Sequence, residues 1–191
     1  MSVLDLAVYI SWAILVFYWA ISSGKVKKTQ KTGQKFNNVW FYSGSVFFIL
    51  LFLISMKFFS VPIFAFRFLP EIIFIQLLAV FLTISGLIIA ILAKMKLSRD
   101  WSSNVEIKEK HELKTTDIYK LSRHPIYTGI TFMSFGLFLY TLNLSSFIFA
   151  FIMIYFMIYK LKAEEKILLE HFPEKYSNYK KRVKTLIPFV W

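Results

Sequence analysis

Tyr127-Thr-Gly-Ile-Thr-Phe-Met-Ser-Phe-Gly-Leu-Phe-Leu-Tyr140-Thr-Leu-Asn143-Leu-Ser-Ser-Phe-Ile-Phe-Ala-Phe-Ile-Met-Ile-Tyr-Phe-Met-Ile-Tyr159 contains no charged residue. A bilayer core about 30 Å thick is crossed by roughly 20 apolar residues in a helix. This run is too long for one crossing, and Asn143-Leu-Ser-Ser in its middle is a turn signal. The reading is a helical hairpin, two helices of about sixteen residues each, barely long enough to cross. Working outward, Ile72 to Ala93 forms a third span, Trp40 to Met56 a second and Leu4 to Ile21 a first, with Asp5 at its edge. The first has no small-residue cleavage pattern and reads as an uncleaved span rather than a signal peptide. The fold class expected is all-α and integral to the membrane, about five transmembrane helices followed by a helical tail.

Composition agrees. The chain is 57% hydrophobic and 19% aromatic, with 22 Phe among 191 residues, more apolar surface than a soluble domain of this length needs. Its charge of +12 comes from Lys and Arg that avoid the apolar stretches. Of the 23, all but Lys57 and Arg67 fall in the connection 22–39, the connection 94–126 or the tail after Tyr159. The positive-inside rule then places the N-terminus outside and the tail in the cytoplasm. No zinc-finger or strand-binding pattern accompanies the charge, so anionic lipid rather than nucleic acid is the expected partner.

Several chemistries are excluded. There is no Cys, and the three His (111, 124, 171) never share the spacing that clamps a metal on one helix, so no metal is expected. The six glycines never form Gly-x-Gly, which removes the dinucleotide fingerprint and the P-loop. No Gly-x-Ser-x-Gly elbow is present.

The polar residues instead gather in two places. Asn104 to Tyr127 leads directly into the fourth span, and Arg123-His124-Pro125 stands at its mouth, where exposed N–H groups favour an anion and Pro suits the first turn. Arg and His at a membrane edge also serve as headgroup anchors, and Tyr belongs to the aromatic belt. The second group, Lys160-Leu-Lys-Ala-Glu164-Glu165, follows the fifth span. Lys160 and Glu164 share a helix face, an ordinary i, i+4 pair unless the acid answers a ligand. Beyond them, Leu161, Leu168, Leu169 and Phe172, then Tyr176, Tyr179 and Val183, recur at helical spacing. Residues 1–93 read as three membrane helices and 94–191 as the catalytic region.

Taken in order, Ile118-Tyr-x-x-x-Arg123-His-Pro-x-Tyr127, Glu164-Glu165 and Phe172-Pro-Glu-Lys-Tyr176-x-x-Tyr179-x-x-x-Val183 with Pro188 resemble the isoprenylcysteine carboxyl methyltransferase family. Membrane phospholipid N-methyltransferases are among its relatives. The likeness covers roughly 101–191. It implies methyl transfer from S-adenosylmethionine (SAM) to a lipophilic or prenylated acceptor. It places the cofactor on His111, Glu112, Leu113 and Lys114, on Tyr119, on His124, Pro125, Ile126 and Tyr127, and on Glu164. Arg123 and His124 are the candidate catalytic residues and Lys160 the candidate contact to the acceptor. Two departures stand out. Asp117 occupies a position where members often have Gly, which bears on the local turn. Lys160 replaces an Arg that grips the acceptor's carboxylate, keeping the charge but losing the bidentate fork. Other acceptors, an aminophospholipid or a thiol, therefore stay open.

Two rivals are weighed against this. Membrane sterol reductases share the Arg-His-Pro-x-Tyr segment and use NADPH. A non-enzymatic scaffold or exporter subunit would explain the hydropathy but not both polar clusters. Transport itself is disfavoured by spans that carry almost no ionisable residue.

Overall fold

The structure is a computed structural model; it describes residues 2–22, 66–97 and 113–187. The expected span Trp40–Met56, the lysines of the 22–39 connection, Asn104 to Glu112 (with His111 and Glu112) and Pro188 lie outside the described residues.

Five α-helices are described: α1 Val3–Ser22, α2 Ile73–Leu97, α3 Pro125–Thr141, α4 Leu144–His171 and α5 Pro173–Arg182, with a 3₁₀ turn at Asp117–Lys120 before α3. Three of them, α1, α2 and α4, are long and apolar enough to cross a membrane. The all-helical, membrane-type reading therefore holds. α3 has 17 residues, about 26 Å at the helical rise, slightly less than the hydrocarbon thickness.

The hairpin forms where the turn signal stands. Leu142 takes a left-handed conformation (φ 47°) that ends α3, and its N–H donates to the Phe138 carbonyl at 2.7 Å. Asn143 then caps α4, its side-chain oxygen accepting from the Ser146 N–H at 2.9 Å. α4 is longer than the sixteen residues expected: it continues past Tyr159 to His171 as one 28-residue helix. Lys160 to Glu170 holds good helix formers and no Gly or Pro, so nothing stops the helix before Pro173.

α2 and α3 pack with almost nothing between them. Ala79, Thr83, Gly86, Ala90 and Ala93 recur every three or four residues along α2, facing Gly129, Met133 and Gly136 of α3. A Cβ at Gly129 would lie 2.4 Å from the Gly86 carbonyl oxygen, and one at Gly86 would lie 2.4 Å from that of Gly129. Small residues let two membrane helices come this close, and van der Waals contact then replaces the hydrophobic drive that lipid does not supply. α1 lays Val8, Trp12 and Leu15 into the same core, and Trp12 meets Phe149 of α4 edge to face at 5.8 Å.

The bundle's two ends differ. At one, Tyr140 donates to Asp5 at 2.5 Å, and Arg67 lies beside Asn143. At the other, Lys96 pairs with Asp117, Tyr119 donates to the Ala93 carbonyl at 3.3 Å, and both polar clusters assemble.

Candidate functional site

The mouth of α3 is shaped by chain far away in sequence. After α5 the chain turns back as a strap, Val183 to Leu186. The Arg123 N–H donates to the Lys184 carbonyl at 2.8 Å and the His124 N–H to that of Thr185 at 3.1 Å. Ser122 donates to the Thr185 carbonyl at 2.8 Å, and Thr128 to that of Leu186 at 2.7 Å. α5 supports the strap by burying Tyr176 and Tyr179, and the Tyr179 hydroxyl donates to the Tyr119 carbonyl at 2.5 Å. Burial pushes the Tyr119 and Tyr179 hydroxyls above their ordinary pKa, so both stay neutral donors.

Asp117, just before Tyr119, has φ 55°, the left-handed region that glycine enters without cost. The turn thus has the conformation for which Gly is the natural choice. Here Asp adopts it, and its carboxylate, held below its ordinary pKa chiefly by the Lys96 hydrogen bond, ties the turn to α2.

Arg123 is buried and its guanidinium is spent within the protein. Nε and Nη2 donate to Glu165 Oε1 at 2.9 and 2.6 Å, Nη1 to the Val183 carbonyl at 2.5 Å and Nη2 to Thr185 Oγ1 at 2.7 Å. The other Glu165 oxygen accepts from Lys180 at 2.8 Å. Glu165 is therefore the counter-charge that ties α4, α5, the strap and the mouth of α3 together. The sequence reading named Arg123 as a candidate catalytic residue; in the structure its guanidinium meets Glu165, Val183 and Thr185.

His124 lies between the two acids. Its Nδ1 is 3.5 Å from Glu164 Oε2 and its Nε2 is 3.4 Å from Glu165 Oε1, at ion-pair distance, and Nε2 makes no hydrogen bond. Burial pulls the imidazole pKa down, but both carboxylates pull it up and prevail, so it sits above the ordinary value. Its ring stacks on Tyr127 with centroids 5.7 Å apart. Tyr127 donates to Glu164 Oε1 at 2.5 Å, and the Lys160 ammonium stands 5.8 Å from the Tyr127 ring centroid. The Glu164 side chain is 25% exposed against 11% for Glu165, so it is the more open of the two.

Of the residues singled out by sequence, His124, Tyr127, Lys160 and Glu164 thus form one cluster. Pro125 and Ile126 open α3 beside it, and Tyr119 closes one edge. Leu113 and Lys114 are half-buried in irregular chain leading to the 3₁₀ turn. Glu165 was quoted beside Glu164 but given no role, and Lys180, Thr185 and Ser122 were not singled out. A second acid beside Glu164 was the only available sign, since nothing local announces that the strap returns to Arg123. Among the described residues no group of His, Cys, Asp and Glu could hold a metal ion.

Comparison with known proteins agrees with this picture. A family profile described as phospholipid methyltransferase matches residues 74–175, from α2 into α5. The protein-S-isoprenylcysteine O-methyltransferase of Saccharomyces cerevisiae is 41% identical over 81 residues, 42% of this chain and 34% of that protein. Protein-S-isoprenylcysteine O-methyltransferase B of Arabidopsis thaliana is 33% identical over 84 residues, 44% and 43% of the two chains. A probable protein-S-isoprenylcysteine O-methyltransferase of Oryza sativa subsp. indica is 28% identical over 120 residues, 61% and 63%. The matched part thus spans from a third to less than two thirds of these relatives' lengths. The profile covers more than half of the sequence and takes in the whole α3–α4 cluster: the chain belongs to the phospholipid methyltransferase family.

Proposed function

We propose that this protein is an integral membrane methyltransferase that uses SAM and methylates the carboxylate of a lipophilic acceptor; its relatives are named as O-methyltransferases of protein-S-isoprenylcysteine. The site lies in residues 94–191 and faces the cytoplasm. One observation carries the reading: Lys160, Tyr127, His124 and Glu164 converge where apolar helices end, a lipid-facing scaffold with a charged niche.

The donor set fits SAM. Glu164, held by Tyr127 yet partly open, suits an ammonium or a ribose hydroxyl, and the stacked His124 and Tyr127 rings offer a flat face to adenine. When bound, SAM supplies an electrophilic methyl group. The protein's part is to orient: in-line approach in a closed site supplies most of the rate. A carboxylate acceptor has no proton to lose at neutral pH, so no general base is required. An amine or thiol would need one, and here Glu165 is taken by Arg123 and Lys180 while Glu164 is assigned to the cofactor. Lys160 holds the acceptor's carboxylate as a point charge. The relatives' names and the anionic acceptor's lack of a proton favour this over the amine and thiol readings, and over an NADPH-dependent reduction.

The test is methyl transfer from labelled SAM to a prenylcysteine, an aminophospholipid and a small thiol, using purified protein in detergent. The expected result is transfer to prenylcysteine, with Lys160→Ala raising the KM for the acceptor while SAM affinity is kept. Lys160→Arg should match or exceed the parent, because a planar fork grips a carboxylate in two places. Binding of NADPH without SAM would refute the proposal. Loss of SAM binding in Lys160→Ala would move this residue to the cofactor's side of the site.

A further inference from the structure

The outer face of α4 changes character along its length. Phe151, Tyr155, Tyr159, Lys162 and Lys166 follow one another at intervals of three or four residues, so they form one stripe down the helix. All five are exposed. Met157 and Leu161, turned away from the stripe, are buried. At 1.5 Å per residue, the stripe passes from Phe151 to Tyr159 in about 12 Å and reaches Lys166 about 10 Å further on. A phenyl ring suits hydrocarbon, tyrosine suits the interface, and ammonium groups belong at the phosphates. The sequence of side chains therefore measures depth, and Lys162 and Lys166 fall at headgroup level.

Their charges are also uncommitted. Glu164 and Glu165 are engaged with His124, Tyr127, Arg123 and Lys180, and neither Lys162 nor Lys166 pairs with an acid among the described residues. Glu170, one turn after Lys166, forms no pair with it either. Two free ammonium groups one turn apart, below an exposed tyrosine hydroxyl and on a lipid-facing helix, match a phosphodiester that carries an uncompensated negative charge.

We infer that the outer face of α4 at Tyr159, Lys162 and Lys166 binds the headgroup phosphate of an anionic phospholipid from the surrounding bilayer. This site is on the face of α4 away from the Glu164 cluster and does not rest on the proposed methyl transfer.

The test uses the full chain reconstituted in vesicles that carry trace spin-labelled phosphatidylglycerol or spin-labelled phosphatidylcholine. The motionally restricted fraction of each label gives their relative affinities. The parent should prefer the anionic label, and Lys162→Gln with Lys166→Gln should weaken that preference by about fivefold for each lysine removed. Lys181→Gln with Lys184→Gln removes the same charge from the α5 end and should leave the preference unchanged. Equal restriction of both labels in the parent would overturn the inference. So would an equal loss in the α5 control, which would show diffuse attraction rather than a site. Displacement of the anionic label by inorganic phosphate, where sodium chloride of the same ionic strength displaces none, would assign the groups to free phosphate and overturn the lipid assignment.

Discussion

Glu164 accepts from Tyr127 and faces His124, whereas Glu165, one residue on, neutralises Arg123 and Lys180. Their substitutions should separate accordingly. Glu164→Gln keeps a hydrogen-bond acceptor for Tyr127 but removes the charge offered to SAM, so SAM affinity should fall more than tenfold with little change in unfolding temperature. Glu165→Ala leaves a buried guanidinium without its counter-ion, which costs about 3–5 kcal/mol. Calorimetric titration with SAM and thermal unfolding in detergent check both, and equal small effects would reduce the pair to a solvated helix face. His124 adds a pH dependence. Its native pKa lies above the unfolded value of 6.5, so the stability from its contacts with Glu164 and Glu165 is fully present below that value. That stability is lost as pH rises through the elevated native pKa. Unfolding temperature should therefore decline over the range above about pH 6.5, and His124→Gln should flatten the decline. At this scale the sequence was readable where an ionisable residue sat at the edge of an apolar run. It was unreadable for Thr185 and Lys180, whose partners come from the fold alone.

Among the elements, the α3–α4 hairpin was legible because Asn-Leu-Ser-Ser is a capping sequence in an otherwise featureless apolar stretch. The α2–α3 seam was not. Alanine, glycine and threonine within a hydrophobic segment look the same whether they face lipid or another backbone, and only the facing pairs reveal the contact. The seam can be tested by adding one carbon. Gly129→Ala would press a methyl group against the Gly86 carbonyl and Ala90, forcing the helices apart. A loss of about 1–3 kcal/mol is expected, the usual cost of overpacking. Phe135→Ala, on an exposed face of the same helix, should change the unfolding temperature far less. Thermal unfolding of the two variants side by side gives the comparison. The extent of α4 was also underestimated from sequence, because a change from apolar to charged residues marks the membrane boundary and not the end of a helix.

For the whole molecule, charge distribution carried most of the information. Lys94, Lys96 and the basic tail lie at one end of the bundle, and Arg67 at the other with Asp5 and Asn143. That asymmetry predicts the clustered end in the cytoplasm. The native chain has no Cys, so single cysteines placed at Ser2 and at Ser177 report unambiguously. In sealed, right-side-out vesicles an impermeant maleimide should label the residue 2 variant and spare the residue 177 variant; the reverse pattern would invert the topology.

The backbone-to-backbone seam has a consequence for how anything reaches the cluster. Where α2 and α3 touch through the Gly86 and Gly129 carbonyls there is little side chain to swing aside, so the two helices should move as a single plate. α4 is fastened to that plate at its extremities, by Thr141 with Ser146 at one end and by Arg123 with Glu165 at the other. Midway, the link between Thr131 and the Met157 sulfur, at 3.7 Å, is far weaker. Between α3 and α4, that midsection carries the weakest of the described polar links. A long-tailed guest arriving sideways from the bilayer would have to part only a thioether and a hydroxyl there, whereas the α2–α3 seam would require parting two peptide backbones.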